Sequence, residues 1–158
     1  MGSEDGTGPW ASFKYPHSAI TSGSNLYVTD SSNVTICKLE ISTGIVTTFA
    51  SGFNSPQGIT TDGTNLYVVD RGNNRIRKIV MSTKEVSTIA GSNPFGYLDG
   101  DGTAAKFNYP WGITTDGTNL YVGDGDNNVV RKIVISTGVV STLAGSGNIG
   151  SEDGTGTD

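Results

Sequence analysis

The sequence YPWGITTDGTNLYVGD, at residues 109–124, occurs in closely related form at two earlier places in the chain. The earlier copies are YPHSAITSGSNLYVTD at 15–30 and SPQGITTDGTNLYVVD at 55–70. Each copy continues through a polar turn into a second shared stretch that ends in Ala50, Ala90 or Ala144. The copies differ in spacing because their connectors differ: SGFN at 51–54 and GSNPFGYLDGDGTAAKFN at 91–108. A unit of about 40 residues therefore repeats three times.

Each unit has the pattern of four short β-strands. In the second copy the predicted strands are 57–61, 65–69, 76–81 and 86–90, all rich in Ile, Val, Thr or Tyr. Polar turns separate them, and the short gaps favour an antiparallel meander. A repeated four-stranded meander of this length predicts a β-propeller blade. The predicted fold class is all-β, with three blades in the chain.

The repeats divide the chain into four predicted segments. Residues 1–51 form the first blade with an N-terminal connector, and residues 52–91 form the second blade. Residues 92–145 form the third blade with its long connector, and residues 146–158 form a tail. The tail repeats the N-terminal connector, because GSEDGTG occurs both at 2–8 and at 150–156.

Composition narrows the possible classes of protein. Charged residues are only 16% of the 158 residues, which argues against a coiled coil or a charged disordered tail. No run of about 18 apolar residues is present, so we expect no membrane span. Because the net charge is −5, we do not expect broad binding to the phosphate backbone of nucleic acids. One cysteine excludes an internal disulfide, and no signal peptide is visible at the start. The compartment stays open, with a bacterial extracellular or periplasmic parent protein as one option.

These motifs resemble the NHL-repeat family of β-propellers. The matching features are Pro-x-Gly-Ile at 56–59 and 110–113, Asn-Leu-Tyr-Val-x-Asp in every copy, and Asn-Asn-Arg-Ile-Arg-Lys at 73–78. The connector DGDGTAAKF at 99–107 also resembles that family's longer inter-blade loop, and EDGTGPWASF at 4–13 follows the same pattern. The resemblance implies the propeller fold. It does not select a function, because the family includes protein-binding, RNA-binding and enzymatic members.

Three blades are too few to close a ring, and an open array would expose strand edges and apolar faces. We expect two chains to assemble head to tail into a homodimeric six-bladed propeller with a twofold axis. The two copies of GSEDGTG then compete for one place at each junction. Two alternatives remain open: a ring of three chains with nine blades, and a chain that is an excised or engineered piece of a longer propeller.

The candidate binding residues lie on the predicted face that carries the inter-blade connectors. This face differs most between copies, and it would present His17, Gln57 and Trp111 at equivalent positions near the channel mouth. Tyr15, Tyr109 and Asp124 complete the candidate rim. The predicted function is a non-catalytic, self-assembling unit with a protein-, peptide- or glycan-binding face. The alternative is a fragment of a metal-dependent propeller lyase or hydrolase.

Carboxylates and basic side chains give further candidate sites. The acidic loops that contain Asp99, Asp101, Asp124 and Asp126 suggest calcium, but the full calcium-loop spacing is absent. We therefore expect no cofactor, with calcium as the alternative. The aspartates that end each second strand, Asp30, Asp70 and Asp124, are predicted to accept backbone N–H bonds at a turn. The second copy is rich in basic residues, which keeps an RNA-binding patch as a weaker alternative.

Overall fold

The computed structural model describes residues 5–150 together with Gly154 and Gly156. Its strands form three antiparallel sheets, one for each sequence repeat. The first sheet has the order β1-β5-β4-β3-β2, with β1 (Gly6–Thr7), β2 (Pro16–Ser22), β3 (Asn25–Asp30), β4 (Thr35–Glu40) and β5 (Ile45–Ser51). The second sheet runs β6-β7-β8-β9, with β6 (Pro56–Thr61), β7 (Asn65–Asp70), β8 (Arg75–Val80) and β9 (Val86–Ala90).

The third sheet repeats the first. Its order is β10-β14-β13-β12-β11, with β10 (Gly100–Asp101), β11 (Pro110–Thr115), β12 (Asn119–Asp124), β13 (Val129–Val134) and β14 (Val139–Ala144). The four strands predicted for each copy are confirmed, with ends that differ by no more than a residue in the second copy. We call the three sheets the first, second and third blade.

The connectors contribute structure that the sequence patterns do not predict. β1 and β10 are two-residue strands that add a fifth, outer strand to the first and third blades. Each is followed by one turn of 3-10 helix, at Gly8–Trp10 and at Gly102–Ala104. A two-residue strand is too short to show any hydrophobic alternation. Similar helical turns follow the second strand at Arg71–Asn73 and Gly125–Asn127.

The blades pack side by side with their first strands adjacent. β6 lies between β2 and β11. At the contact with the third blade, a Cβ on Gly58 would lie 2.7 Å from the carbonyl oxygen of Trp111, so only glycine fits. First strands that adjoin one another in successive meanders give the arrangement of propeller blades around a central channel.

Two hydrophobic clusters hold the blades together. One joins the first and second blades and includes Ile36, Phe53 and Leu66. The other joins the second and third blades and includes Ile76 and Phe107. The aromatic side chains Phe53 and Phe107 come from the connectors and are 6% and 0% exposed, as expected for residues that fill the space between blades.

The predicted tight turn after the first strand is held by one aspartate. Asp62 accepts hydrogen bonds from the backbone N–H groups of Thr64 and Asn65, at 2.8 and 2.7 Å, and from the Tyr67 hydroxyl at 2.8 Å. Asp116 makes the equivalent bonds in the third blade. Burial disfavours the charge on Asp62, but these bonds and one from the Asn65 side chain outweigh it and lower the pKa of Asp62 to about 2.

We expect Asp62→Ala to lower the free energy of unfolding by about 1 kcal/mol at pH 7, after allowance for solvent screening at this exposed turn. Because the pKa of Asp62 is lower in the folded state, its stabilisation is present above about pH 4 and is lost as the pH falls toward 2. Urea unfolding at pH 7 and at pH 2 measures the loss of unfolding free energy at each pH. Asp126→Ala removes an exposed carboxylate and is the control, with no effect expected at either pH. An equal cost of Asp62→Ala at both pH values would contradict this assignment.

Among the described residues, no helix is both long enough and apolar enough to cross a membrane. Six of the 13 residues of the tail, including the repeated stretch 151–153, lie outside the described residues. The prediction that two copies of GSEDGTG compete for one place falls partly on those residues.

Candidate functional site

The structure brings together two of the three equivalent residues predicted for the rim. His17 and Trp111 lie near the starts of β2 and β11, and their ring centroids are 6.0 Å apart. Both side chains are exposed, with Trp111 at 43%. A Cβ on Gly125 would lie 2.4 Å from Cδ1 of Trp111, so the glycine makes room for the indole. Residues from the first and third blades thus share one surface.

Gln57, the third member, lies at the same level but is buried rather than presented at the rim. It is 6% exposed, because the first and third blades flank β6 on both sides. Its backbone carbonyl accepts a hydrogen bond from the Thr29 hydroxyl in the first blade at 2.7 Å. Its side-chain Nε2 donates to Ser55 Oγ at 3.3 Å, whereas Oε1 has no partner among the described residues.

Arg71, one of the basic residues of the second copy, also belongs to this surface, although it is not among the rim residues predicted from the sequence. Its guanidinium carbon lies 4.3 Å from the ring centroid of Trp111 and 4.6 Å from that of Tyr109. Within the described residues, Arg71 forms no ion pair with a carboxylate. The signal was present in the repeat: the equivalent positions carry Ser31 and Gly125, so the arginine is specific to the second copy.

The two rim tyrosines have different surroundings. Tyr109 is 37% exposed, its backbone N–H donates to Asn74 Oδ1 at 2.9 Å, and its ring lies 6.4 Å from that of Phe95. Tyr15 is 77% exposed. Both have positive φ angles, 47° and 56°, in the left-handed region. The structure therefore places Tyr109 in the cluster with Arg71 and Trp111 and leaves Tyr15 at the open side of the first blade.

The aspartates that end each second strand accept backbone N–H bonds, as predicted, but the donors lie in the preceding connectors rather than in the turn of the hairpin. Asp30, Asp70 and Asp124 are fully buried, and each accepts a backbone N–H bond from the preceding connector, at 2.7, 2.6 and 2.8 Å. Asp124 also bonds the Arg131 guanidinium at 2.8 Å, and Arg131 in turn bonds Asp99 at 2.6 Å. Asp124 is thus buried beneath the rim rather than displayed on it.

The four calcium candidates do not share one set of surroundings. Asp99 and Asp124 both face the guanidinium of Arg131, whereas Asp101 and Asp126 are exposed. Within the part of the chain that the structure describes, no three acidic, cysteine or histidine side chains are placed to hold a metal ion. The calcium site stays a prediction.

Cys37 occupies in the first blade the place that Arg131 occupies in the third. It is buried, and burial raises the pKa of its thiol, with the nearby carboxylates of Asp30 and Asp5 adding to the rise. A buried, protonated thiol is a poor nucleophile. Cys37 therefore acts as a structural side chain.

The basic residues of the second copy do not form one patch around Arg71. Arg77 pairs with the buried Asp70 at 3.0 Å, and Lys84 lies 5.3 Å from the ring of Phe49 in the first blade. These two cations are engaged inside or between blades. Nucleic-acid binding stays an unfavoured prediction.

Comparison with known proteins finds a similarity to one family. Residues 53–79, which span β6, β7 and most of β8, match the model of the NHL repeat. NHL repeat-containing protein 2 of Bos taurus and its counterpart in Homo sapiens are each 39% identical to this chain over 64 residues. That alignment covers 40% of the chain and 9% of the length of each relative.

Solved structures resemble the fold over most of the chain. An auxiliary nutrient binding protein from Bacteroides ovatus superposes with a TM-score of 0.70 at 20% identity, over 86% of this chain and 37% of that one. Virginiamycin B lyase from Staphylococcus aureus superposes with a TM-score of 0.62 at 18% identity, over 81% of this chain and 40% of that one. The chain thus spans less than half of each solved relative, and identities this low show the fold alone. Residues 53–79 thus match an NHL repeat, and the three repeated sheets are arranged as β-propeller blades, as in these solved structures.

Proposed function

We propose that this chain is a non-catalytic propeller unit that assembles with a second copy and presents a ligand-binding surface at the channel mouth. The observation that carries the assembly is an open pocket on the third blade. Its volume is about 350 Å³, and its lining includes Gly123, Val129, Val130, Ala144 and Gly145. The corresponding places on the first and second blades are filled by phenylalanine.

The pocket corresponds position by position to those filled sites. Phe53 packs in the cluster that contains Ile36 and Ala50, and Phe107 packs in the one that contains Ile76 and Ala90. The residues at these positions in the third blade, Val130 and Ala144, line the pocket. Phe13 precedes the first blade as Phe53 and Phe107 precede the second and third. Phe13 of a second copy is therefore the side chain that suits this pocket.

The opposite end of the array offers the complementary surface. Leu66 and Leu120 are fully buried because a preceding blade covers them, whereas the equivalent Leu26 of the first blade is only partly buried. On the third blade, Val130 is 39% exposed and Leu143 is 44% exposed. Joining these two faces would repeat the contact that already holds neighbouring blades within the chain, and two such junctions would close six blades.

The tail supports the same geometry. The N–H of Gly91 donates to the carbonyl of Gly102 at 3.1 Å, where the third blade's connector crosses the second blade. The N–H of Gly145 donates to the carbonyl of Gly156 at 3.0 Å, which is the equivalent bond one repeat later. The third blade thus already receives a glycine carbonyl where the connector of a following blade would supply one.

A binding role rests on the surface that contains Arg71, His17 and Trp111. Exposed aromatic rings beside an unpaired cation suit recognition of a ligand rather than acid–base chemistry, because general acid–base work needs a group placed to exchange protons with a substrate. The enzymatic alternative, a fragment of a metal-dependent lyase or hydrolase, has no specific observation in its favour beyond the fold it shares with the lyase named above.

We expect light scattering after size-exclusion chromatography to give the mass of two chains at micromolar concentration. Phe13→Ala removes an aromatic ring from both junctions at once, so we expect the dimer dissociation constant to rise about a thousandfold. Val130→Asp changes the pocket that receives Phe13 by placing a charge in it. This substitution should also give single chains.

Ile41→Ala is the control, because Ile41 is 55% exposed in a hairpin turn of the first blade, away from the pocket lining. It should leave the mass unchanged. A well-folded single chain in the wild type, or a dimer that survives both Phe13→Ala and Val130→Asp, would overturn the proposed assembly.

A further inference from the structure

We propose that Arg71, Trp111 and Gln57 form a binding site for a small carboxylate-bearing ligand, in which Arg71 holds the carboxylate and the exposed ring of Trp111 holds the body of the ligand. This inference rests on the proposed function, since it names the class of ligand for the same surface. It requires residues of one chain only, but Trp111 also lines the pocket of the proposed junction, so the solution mass is measured together with binding.

The arginine is held in place but electrically unpaired. Tyr109 and Trp111 both contact its guanidinium group at 4.3–4.6 Å from the ring centroids, which restricts the side chain without neutralising it. The other arginines for which ion pairs are described, Arg77 and Arg131, each bond a buried aspartate. In a chain whose net charge is −5, an immobilised cation with no carboxylate partner among the described residues favours an external anion.

Two polar side-chain atoms of the second blade lack hydrogen-bond partners in the described part of the chain. Gln57 Oε1 and Arg71 Nε are buried and lack hydrogen-bond partners within the described residues. Pro56 pairs with Asp70 across the first two strands of the second blade, and Gln57 and Arg71 flank that pair on its two sides because the strands are antiparallel. Buried polar atoms in native proteins are almost always satisfied, by protein, by ordered water or by a bound group. A small rotation of the Gln57 amide would turn its free acceptor toward a donor on the ligand.

The residues of this cluster occupy positions that differ between the three copies. At the position of Gln57 the three copies carry His17, Gln57 and Trp111, and at the position of Arg71 they carry Ser31, Arg71 and Gly125. The surrounding strands are nearly identical in the copies. Of the residues that differ, His17, Arg71 and Trp111 meet at one surface, and the small Gly125 is what allows the Trp111 indole to lie there.

The donor geometry selects the ligand chemistry. A guanidinium presents its N–H groups as a planar fork that matches the two oxygens of a carboxylate. The rings of Trp111 and His17 offer apolar surface beside that fork. An N-acylated amino acid, as at a peptide C-terminus, and a sugar acid both combine a carboxylate, a neighbouring hydrogen-bond donor and a body that stacks on an aromatic ring.

The test follows the indole N–H signals of the wild-type protein by NMR during titration. The acidic probes are N-acetylglycine and glucuronate, and the matched neutral probes are N-acetylglycinamide and glucose. We expect at least one acid to shift the Trp111 signal to saturation at millimolar concentration, with its neutral partner at least tenfold weaker. The Trp10 signal is an internal control, and the acid that binds more tightly identifies the source of the carboxylate.

Arg71→Ser and Arg75→Val provide a pair that is matched in charge. Each replaces an arginine by the residue of another copy, Ser31 or Val129, so the blade should fold. Arg71→Ser is expected to weaken binding of the acid ten- to hundredfold, and Arg75→Val to leave it within twofold. No shift with either acid, equal binding of the neutral probes, or wild-type affinity in Arg71→Ser would overturn the proposal.

The solution mass separates this inference from the proposed assembly. If the protein is a dimer that binds neither acid, the proposed carboxylate site is wrong and the proposed closed propeller stands. If it is a single chain whose Trp111 signal still responds to acid through Arg71, the proposed closure is wrong and the carboxylate site stands.

Discussion

Arg131→Met is expected to lower the free energy of unfolding by about 3–5 kcal/mol at pH 7.5, the cost of leaving one partner of a buried ion pair unpaired. The Arg131 side chain is fully buried and bonds Asp124 at 2.8 Å, Asp99 at 2.6 Å and the backbone carbonyls of Lys106 and Leu98. It thereby ties the third blade to its own connector. Urea unfolding followed by circular dichroism, at one fixed protein concentration, measures the loss.

The loss should depend on pH. Burial raises the pKa of Asp124, while hydrogen bonds from Asn108, Asn127 and Arg131 oppose that rise. Without Arg131 the pKa of Asp124 rises further, so the variant's carboxyl takes up a proton at a higher pH and its buried charge disappears. We expect the difference between Arg131→Met and wild type to be smaller at pH 5 than at pH 7.5.

Arg77→Met is the matched control, because it removes the equivalent arginine from the second blade. Arg77 bonds a single carboxylate, Asp70, and its side chain is 15% exposed, so water can partly replace it. A loss of about 1–2 kcal/mol is expected there. If Arg131→Met were no more destabilising than Arg77→Met, the two-carboxylate network would not carry the stability assigned to it.

Phe107→Ala is expected to cost about 3–5 kcal/mol, through loss of apolar burial and the cavity that remains. Phe107 is fully buried in the cluster between the second and third blades, beside Ile76 and Ala90. A Cβ on Gly91 would lie only 2.8 Å from its ring, so the backbone of the second blade is closely packed against this side chain. The same unfolding measurement applies.

Phe95→Ala is the control for Phe107→Ala, since it makes the same substitution in the same connector. Phe95 is 59% exposed, and its removal should change the free energy of unfolding by no more than about 0.5 kcal/mol. Similar losses in the two variants would show that Phe107 does not act by filling the space between blades.

Repetition made the blades predictable. Because each copy repeats the same alternation of strand residues and turn residues, strand type, strand number and the antiparallel order could be inferred without any structure. That Asp30 and Asp70 accept backbone N–H bonds was predictable, because an aspartate at a fixed turn position in every copy suits that use, but donors in the connectors, 16 residues away, were not.

The candidate site was only partly predictable. The equivalence of His17, Gln57 and Trp111 followed from the repeat, and two of them do share an exposed surface. That Gln57 is buried, and that Arg71 joins Trp111, depends on contacts between different blades. Such contacts are set by the packing of one sheet on another, which no pattern within a single repeat encodes.

The sequence by itself determined the local order of this protein: three copies of a four-stranded meander, with turns placed by glycine, aspartate and asparagine. Hydrophobic alternation and turn chemistry act over a few residues, so they can be read along the chain. Only the tertiary structure decided which faces are covered, which pocket stays open on the third blade, and which arginine stacks on Tyr109 and Trp111. Burial and charge pairing are decided by residues that are distant in the chain and become neighbours only when the blades pack.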